Sequence, residues 1–330
     1  MLKSTDIRRV HIELTTRCNA RCPMCMRNYR GSDYNSGYPD TELSLDHIQK
    51  IFQPAFLAQL ERVNFNGNLG DFALARDARE IVQFFLAAGV QVDINTNGSL
   101  RSTEWWASLA QPGVTVGWAI DGLADTHALY RQDTDWHKVT ANARAFIEAG
   151  GRAAWRFVPF EHNQHQQAEC EQLSRDWGFW RFENIWDGRD RGPVYTRGGD
   201  FSHDIGKPYE STPTRVEPLR ESHITWYDAR TVQHERDSAE LNLFCVHKKN
   251  QEIYLAADGT VYPCCYLGFY PNSMHHPGNT ELRELVTENN ALEYPLEHCL
   301  NWFDSVESSW DQPSIAQGRT YQCVASCNRP

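Results

Sequence analysis

The chain has 330 residues, 41% of them apolar and 23% charged, and a net charge of -11. That length allows one large domain with a smaller one beside it, and the acidic balance argues against a nucleic-acid partner, because phosphate binding needs a basic surface. The first residues, MLKSTDIRRVHIEL, lack an apolar run of signal-peptide length, and no stretch of 18 apolar residues occurs, so the expectation is a soluble, cytoplasmic protein with no membrane span.

In chain order, strand candidates are VHIEL (10–14), RVNF (62–65), VQVDI (90–94), VTVGWAI (114–120), AAWRFV (153–158) and WRFENIW (180–186), with helical stretches between them. SLDHIQKIF opens with Ser44 as an N-cap and Asp46 in the first turn, which suits a helix start. Leu74, Ala78, Ile81, Val82, Phe85 and Leu86 fall on one helical face. Gly89, Gly150 and Gly178 follow helical runs, where a C-terminal cap is expected. Six strand-helix units in a row predict an α/β fold with parallel strands and right-handed crossovers.

Strands buried on both faces should be almost continuously apolar, and these alternate. Val10, Ile12 and Leu14 interleave with His11 and Glu13; Val90, Val92 and Ile94 interleave with Gln91 and Asp93. The apolar set would pack on helices and the polar set would face a lumen. A closed eight-stranded barrel fills its lumen with branched side chains, so a polar lumen predicts a wider, incomplete barrel of (β/α)6 type holding a polar ligand. His11 and Glu13 are then candidate ligand contacts or satisfied polar residues. The alternative is an open sheet with one wetted face.

Residues 1–187 form this barrel. Residues 188–244 are polar and rich in glycine and proline; they read as a linker or bridging region wrapping the barrel mouth. Residues 245–330 form a small cysteine-rich module. Of the ten cysteines, three lie in the first 25 residues and six between 245 and 330. Two patches on a long chain without an export signal favour metal or cluster binding over a disulfide scaffold. Cys170 shares a helical face with Leu173 and Trp177 and reads as core.

Cys18, Cys22 and Cys25, spaced C-x3-C-x2-C, follow strand one at its carboxyl end, where parallel α/β folds place their chemistry. Thiolates suit iron-sulfur clusters and zinc. No fourth cysteine or histidine lies in the loop, and a centre with three protein ligands keeps a position open for catalysis. This trio resembles the signature of the radical S-adenosylmethionine (SAM) superfamily. The resemblance implies a four-iron four-sulfur cluster whose free iron takes the amino and carboxylate groups of SAM. It also implies reductive cleavage to a 5'-deoxyadenosyl radical that abstracts a substrate hydrogen. Met24 stands where the family usually has an aromatic residue, a place a soft apolar side chain can fill.

Three further stretches resemble the family in order. FNGNLGDF (65–72) matches its glycine-rich SAM-amino stretch, with Gly67, Gly70 and Asp71 as the corresponding residues. INTNGSL (94–100) resembles the ribose-contacting turn, with Thr96 and Asn97 as candidates. AIDGLADTHALYR (119–131) has Ala119 in place of the family's serine, so Arg131 is the candidate for the SAM carboxylate. Singly, each stretch is also what an ordinary βα turn looks like.

In the second patch, EIYLAADGTVYPC reads as two short strands joined by an Asp-Gly turn. Such a hairpin would bring Cys245 and Cys264 together. The patch resembles the SPASM/twitch extensions of radical SAM enzymes, and with six cysteines the shorter twitch form fits better. That implies one auxiliary [4Fe-4S] cluster held by Cys245, Cys264, Cys323 and Cys327, with Cys299 as rival for one place. A structural zinc is the alternative. Cys265 is spare, either a hydrogen donor to substrate or a packed thiol.

SPASM/twitch enzymes mostly modify ribosomally made peptides, so the resemblance implies crosslinking, epimerisation or backbone splicing of a peptide. Only nine residues precede strand one, which makes a separate leader-binding partner protein the expectation, with flavodoxin or ferredoxin as electron donor. The alternatives are a radical dehydrogenase or epimerase of a small molecule such as an aminosugar, and a noncatalytic iron-sulfur or zinc protein.

Overall fold

A computed structural model of the chain describes residues 2–33, 39–185, 191–206, 243–268 and 288–327. Six strands occur in the expected order: β1 Arg9–Ile12, β2 Arg62–Phe65, β3 Gln91–Thr96, β4 Val114–Ala119, β5 Arg152–Phe157 and β6 Arg181–Asn184. All neighbouring pairs among them are parallel. Trp186, in the last strand candidate, lies outside the described residues.

The alternation sorts the two faces as expected. Val10, Ile12, Val63, Phe65, Val92 and Ile94 are almost fully buried in the main core, together with Ile81, Val82 and Phe85 of the helix Ala78–Ala87. Burying each such side chain contributes about 1.5–3 kcal/mol. Ser44 caps the helix Leu45–Ile51, its side chain accepting from the His47 amide. Gly89, Gly150 and Gly178 have φ of +79°, +89° and +83°, the left-handed backbone that ends a helix. Cys170 is fully buried, with Leu173 and Trp177 packed against the same core.

Four more strands follow among the described residues, and the last two of them join this sheet. β7 Gly192–Tyr195 and β8 Phe201–Ile205 form a separate antiparallel ribbon. β9 Glu252–Leu255 and β10 Val261–Tyr262 form the hairpin expected from the Asp258-Gly259 turn, Gly259 having φ +90°. β9 pairs in parallel with β1, from Arg9↔Glu252 to Ile12↔Leu255. The sheet therefore has eight strands, in the order β10-β9-β1-β2-β3-β4-β5-β6. The hairpin of the cysteine-rich segment extends the barrel edge directly.

The polar face is concave. A cavity of about 480 Å³ is lined by Arg9, Asn64, Asp93 and Arg156 with Arg181 of β6 and Glu252 of β9. A flat sheet could not bring strands near its two ends around one cavity, so this is the partial barrel and not the open wetted sheet. The β7–β8 ribbon packs over the other mouth: Tyr195 donates its amide to the Arg30 carbonyl at 2.9 Å, and Val194 and Ile205 are buried with Cys22, Tyr130 and Phe160. Most of the bridging region, residues 207–242, lies outside the described residues. Among the described residues, no helix is long and apolar enough to cross a membrane.

Candidate active site

The loop after β1 carries the first three cysteines. Its Cys25 amide donates to the Cys22 carbonyl at 2.9 Å, a tight turn that keeps the two residues close. Cys22 is buried and Cys18 and Cys25 are partly so. Two side chains direct donors at the sulfurs: Asn97 Nδ2 lies 3.7 Å from Cys18 Sγ, and Arg131 Nη1 lies 3.7 Å from Cys22 Sγ. Burial pushes the Cys18 thiol well above its ordinary range, with Asp71, Cys22 and Cys25 adding to the shift. Burial also raises Cys22, with Arg131 opposing. Met24, like Cys18 and Cys25, packs against the small buried cluster that includes Tyr130, Val158 and Phe160.

Arg131 is itself held. Its Nε donates to Asp121 Oδ2 at 2.6 Å, and fully buried Asp121 also accepts the Val158 amide at 2.7 Å. Burial works against the guanidinium charge, but Asp121 and Cys22 outweigh it and hold the group protonated. Asp121 at the end of β4 is a residue the sequence reading missed. Its signal was its position, two residues beyond Ala119 on the same face.

The glycine-rich stretch after β2 lies against the start of the cysteine loop. A Cβ on Gly70 would stand 1.7 Å from the Thr15 carbonyl oxygen, and one on Gly67 would stand 2.2 Å from the Gly70 carbonyl oxygen. Only glycine fits at either position. Asp71 is buried and accepts from Thr96 Oγ1 at 2.9 Å, the Asn97 amide at 2.7 Å and the Ala73 amide at 3.0 Å. Its carboxylate thus ties the glycine loop to the turn after β3. Asn97 Nδ2 also donates to Asn19 Oδ1 at 3.0 Å, and Asn19 Nδ2 to Ser99 Oγ at 2.8 Å. Thr96, Asn97, Gly67, Gly70, Asp71 and Arg131 therefore surround the cysteine loop at one end of the barrel.

His11 and Glu13 point into the lumen as expected, and both are engaged by the chain. His11 Nε2 pairs with the Asn66 carbonyl. Glu13 Oε1 accepts the amides of Leu69 and Gly70 at 2.6 and 2.9 Å. They are satisfied polar residues that shape the glycine loop.

A thiolate centre fits this loop by donor type: three sulfurs, two with N–H donors aimed at them. Bound iron would deprotonate thiols that burial otherwise keeps neutral. Among the described residues, no three cysteine, histidine or carboxylate side chains already stand close enough to hold a single metal ion. A lone tetrahedral zinc would need sulfurs about 3.8 Å apart, from bonds of about 2.3 Å.

A family model of the radical SAM superfamily matches residues 12–160, from β1 to just beyond β5. Over these residues, fewer than half of the chain, it is similar to the radical SAM superfamily. Over 107 residues it is 25% identical to a Pyrococcus furiosus protein named tungsten-containing aldehyde ferredoxin oxidoreductase cofactor-modifying protein, covering 32% of this chain and 28% of that one. SuiB of Streptococcus suis has a similar structure, with a TM-score of 0.56 at 14% identity over 88% of this chain and 64% of SuiB. For anSMEcpe with bound AdoMet the TM-score is 0.51 at 16% identity, over 89% and 77%. This chain spans less than two thirds of that curated relative and of SuiB.

The second cysteine patch lies beside the sheet edge formed by β9 and β10. Cys264 is raised well above its ordinary range by burial and then by Cys265, Cys323 and Cys245; Cys323 is pushed up to about 12 by burial, with Cys327 and Cys245 adding. Cys299 is raised to about 11 by burial, and its thiol points at the Tyr294 carbonyl 3.8 Å away. Cys265 is pushed up to about 12, first by burial and next by Glu252. Its carbonyl accepts from Asn68 Nδ2 at 3.0 Å, so the spare cysteine abuts the glycine loop.

Proposed function

We propose that the chain is a radical SAM enzyme that modifies a ribosomally synthesised peptide and carries one auxiliary four-iron cluster in a C-terminal twitch-like module, residues 245–330. The single observation that carries the reading is the meeting of two things at one barrel mouth: a three-thiol loop with donors on two sulfurs, and a glycine loop too tight for any side chain. Cys18, Cys22 and Cys25 would hold the first cluster. Gly67 and Gly70 give the amino end of SAM a close approach, Thr96 and Asn97 flank its ribose, and Arg131 offers a cation to its carboxylate, while Asp71 braces that surround. When bound, cluster and SAM supply a 5'-deoxyadenosyl radical for hydrogen abstraction. Cys245, Cys264, Cys323 and Cys327 are the auxiliary ligands in this reading, and Cys265 keeps its proton, as a hydrogen donor must.

Peptide modification is supported by the neighbours in fold. SuiB is known bound to precursor peptide SuiA, and anSMEcpe with AdoMet and the Cp18Cys peptide. A leader-binding partner, a flavodoxin- or ferredoxin-type electron donor and a reducing cytoplasmic setting complete the proposal. The second reading, a small polar substrate, is favoured by the lumen, since about 480 Å³ lies within the usual range for small-molecule sites.

The test is anaerobic reconstitution with iron and sulfide, then SAM and dithionite. Release of 5'-deoxyadenosine is expected. Iron-loaded protein that leaves SAM intact overturns the reading. Mass spectrometry of a coexpressed precursor peptide then separates the two substrate classes.

A further inference from the structure

The cavity on the concave face lies at the barrel mouth opposite the cysteine loop. Arg9, Arg62, Arg152 and Arg181 are the first residues of β1, β2, β5 and β6, and all four line it. A fifth arginine, Arg156, reaches it from higher on β5. Gly117 makes room for that side chain: a Cβ there would stand 2.7 Å from Arg156 Cδ and 2.5 Å from Asn95 Oδ1.

Three carboxylates share the wall, and they do not match five guanidinium groups. Asp93 pairs with Arg62 at 2.5 Å. Glu183 serves two arginines at once, Arg156 at 3.3 Å and Arg181 more closely. Glu252 is taken by His247 at 2.7 Å. Among the described residues, Arg9 and Arg152 have no carboxylate within ion-pair distance. Arg152 instead lies 3.5 Å from the Trp180 ring centre and Arg181 lies 4.5 Å from it, so a half-exposed tryptophan holds two cations at the rim. An excess of guanidinium around one concavity, in a chain whose net charge is -11, focuses a positive potential there.

We propose that this barrel floor is an anion site that takes a carboxylate or phosphate group of the substrate. Forked guanidinium donors suit either group. The inference rests on the proposed function for the role of substrate and deepens it: the molecule is anchored by its anionic end and reaches up the lumen. Five residue steps along β3, Gln91–Thr96, at about 3.3 Å each set the reach, so the anchored end sits about 17 Å below the SAM end. A peptide would supply an aspartate or glutamate side chain, and a small molecule its own carboxylate or phosphate.

The experiment titrates the holoenzyme with Ac-Glu-Glu-Glu-NH2, with pyrophosphate, and with Ac-Gln-Gln-Gln-NH2 as a neutral control, by calorimetry at constant ionic strength. At least one anion is expected to bind saturably and the control not at all. Preference for the glutamate peptide indicates a peptide carboxylate, and preference for pyrophosphate a phosphate-bearing small molecule. Arg9→Met and Arg152→Met should each weaken binding about tenfold, as loss of one charged hydrogen-bond partner does. Asp93→Asn removes a competitor for Arg62 and should tighten binding, a gain no misfolded variant would give. No saturable binding, or binding that all three substitutions leave unchanged, overturns the proposal. Release of 5'-deoxyadenosine, assayed on the same preparation without substrate, reports on the radical SAM reading separately.

Discussion

Tyr254 Oη donates to Glu13 Oε2 at 2.6 Å, while the other oxygen of Glu13 holds the Leu69 and Gly70 amides. One buried carboxylate thereby links β9 of the cysteine-rich segment to β1 and to the glycine loop. The His11 ring packs edge-on against Tyr254 at 4.9 Å and holds the Asn66 carbonyl, so the loop is gripped at Asn66, Leu69 and Gly70. Glu13→Ala leaves two amides and a phenol without an acceptor and should cost about 3 kcal/mol or more. Tyr254→Phe removes one donor and should cost about 1–3 kcal/mol. Hydrogen exchange at the Leu69 and Gly70 amides of the metal-free protein is the direct readout. Unchanged exchange in Glu13→Ala would show that the carboxylate does not hold the loop.

Gly70 and Gly89 make a paired test of why glycine is needed. At Gly70 the obstacle is backbone: an added Cβ meets the Thr15 carbonyl oxygen at 1.7 Å. At Gly89 an added Cβ meets nothing within 4 Å, and only the φ of +79° is unfavourable. Gly89→Ala should cost about 1–2 kcal/mol. Gly70→Ala should cost more than about 4 kcal/mol or displace the loop, and SAM should then no longer perturb the electron paramagnetic resonance signal of the reduced cluster. Equal losses in urea unfolding would refute the steric account.

The strands and their inward faces were legible in the sequence because a period of two is a local property. RVNF, at 62–65, coincides with β2 residue for residue, and the 258–259 turn marks its hairpin. What the hairpin pairs with was not legible, since strand-edge partners are set by distant packing; β9 turns out to lie on β1. The place of Cys18, Cys22 and Cys25 on one loop after β1 was readable because they are close in sequence. The partners of Asp71 were not legible, because sequence shows a carboxylate but not the groups that donate to it, here Thr96, Asn97 and Ala73. The arginine floor escaped for the same reason. Arg9, Arg62, Arg152 and Arg181 are up to 172 residues apart in sequence and meet only because each opens a strand.

Iron content separates the two cysteine patches. Reconstituted protein should hold about eight irons, and loss of either cluster should leave about four. Cys22→Ala should abolish SAM cleavage and the first cluster. Cys264→Ala should remove the auxiliary cluster and leave the first. Cys299→Ala should leave both, since that thiol faces the Tyr294 carbonyl. A wild-type preparation with about four irons and one tightly bound zinc would assign the second patch to zinc.

His127 predicts an acid weakness that can be isolated by subtraction. The ring is fully buried; its Nδ1 accepts the Asp121 amide at 3.1 Å, so the proton resides on Nε2 and is donated to Thr134 Oγ1 at 3.0 Å. Thr134 in turn donates to the Arg131 carbonyl at 2.6 Å, which fixes the residue that faces Cys22. Burial, with Arg131 adding, lowers the His127 pKa from 6.5 to about 3. The folded protein keeps this ring neutral while the unfolded chain protonates it, so the contribution is complete above pH 6.5 and is lost as pH falls from 6.5 toward 3. At pH 5 the loss is about 2 kcal/mol. His162, stacked on Phe160 and lowered to about 4, acts with the same sign. Glu13, raised by burial, acts oppositely above its unfolded value, so the whole-protein profile mixes both. His127→Gln should therefore be less stable at pH 7.5, with the gap to wild type narrowing by about 2 kcal/mol at pH 5 in urea titrations of the metal-free protein. A gap that stays constant with pH would mean that the ring is protonated in the fold and that its partners are not those described.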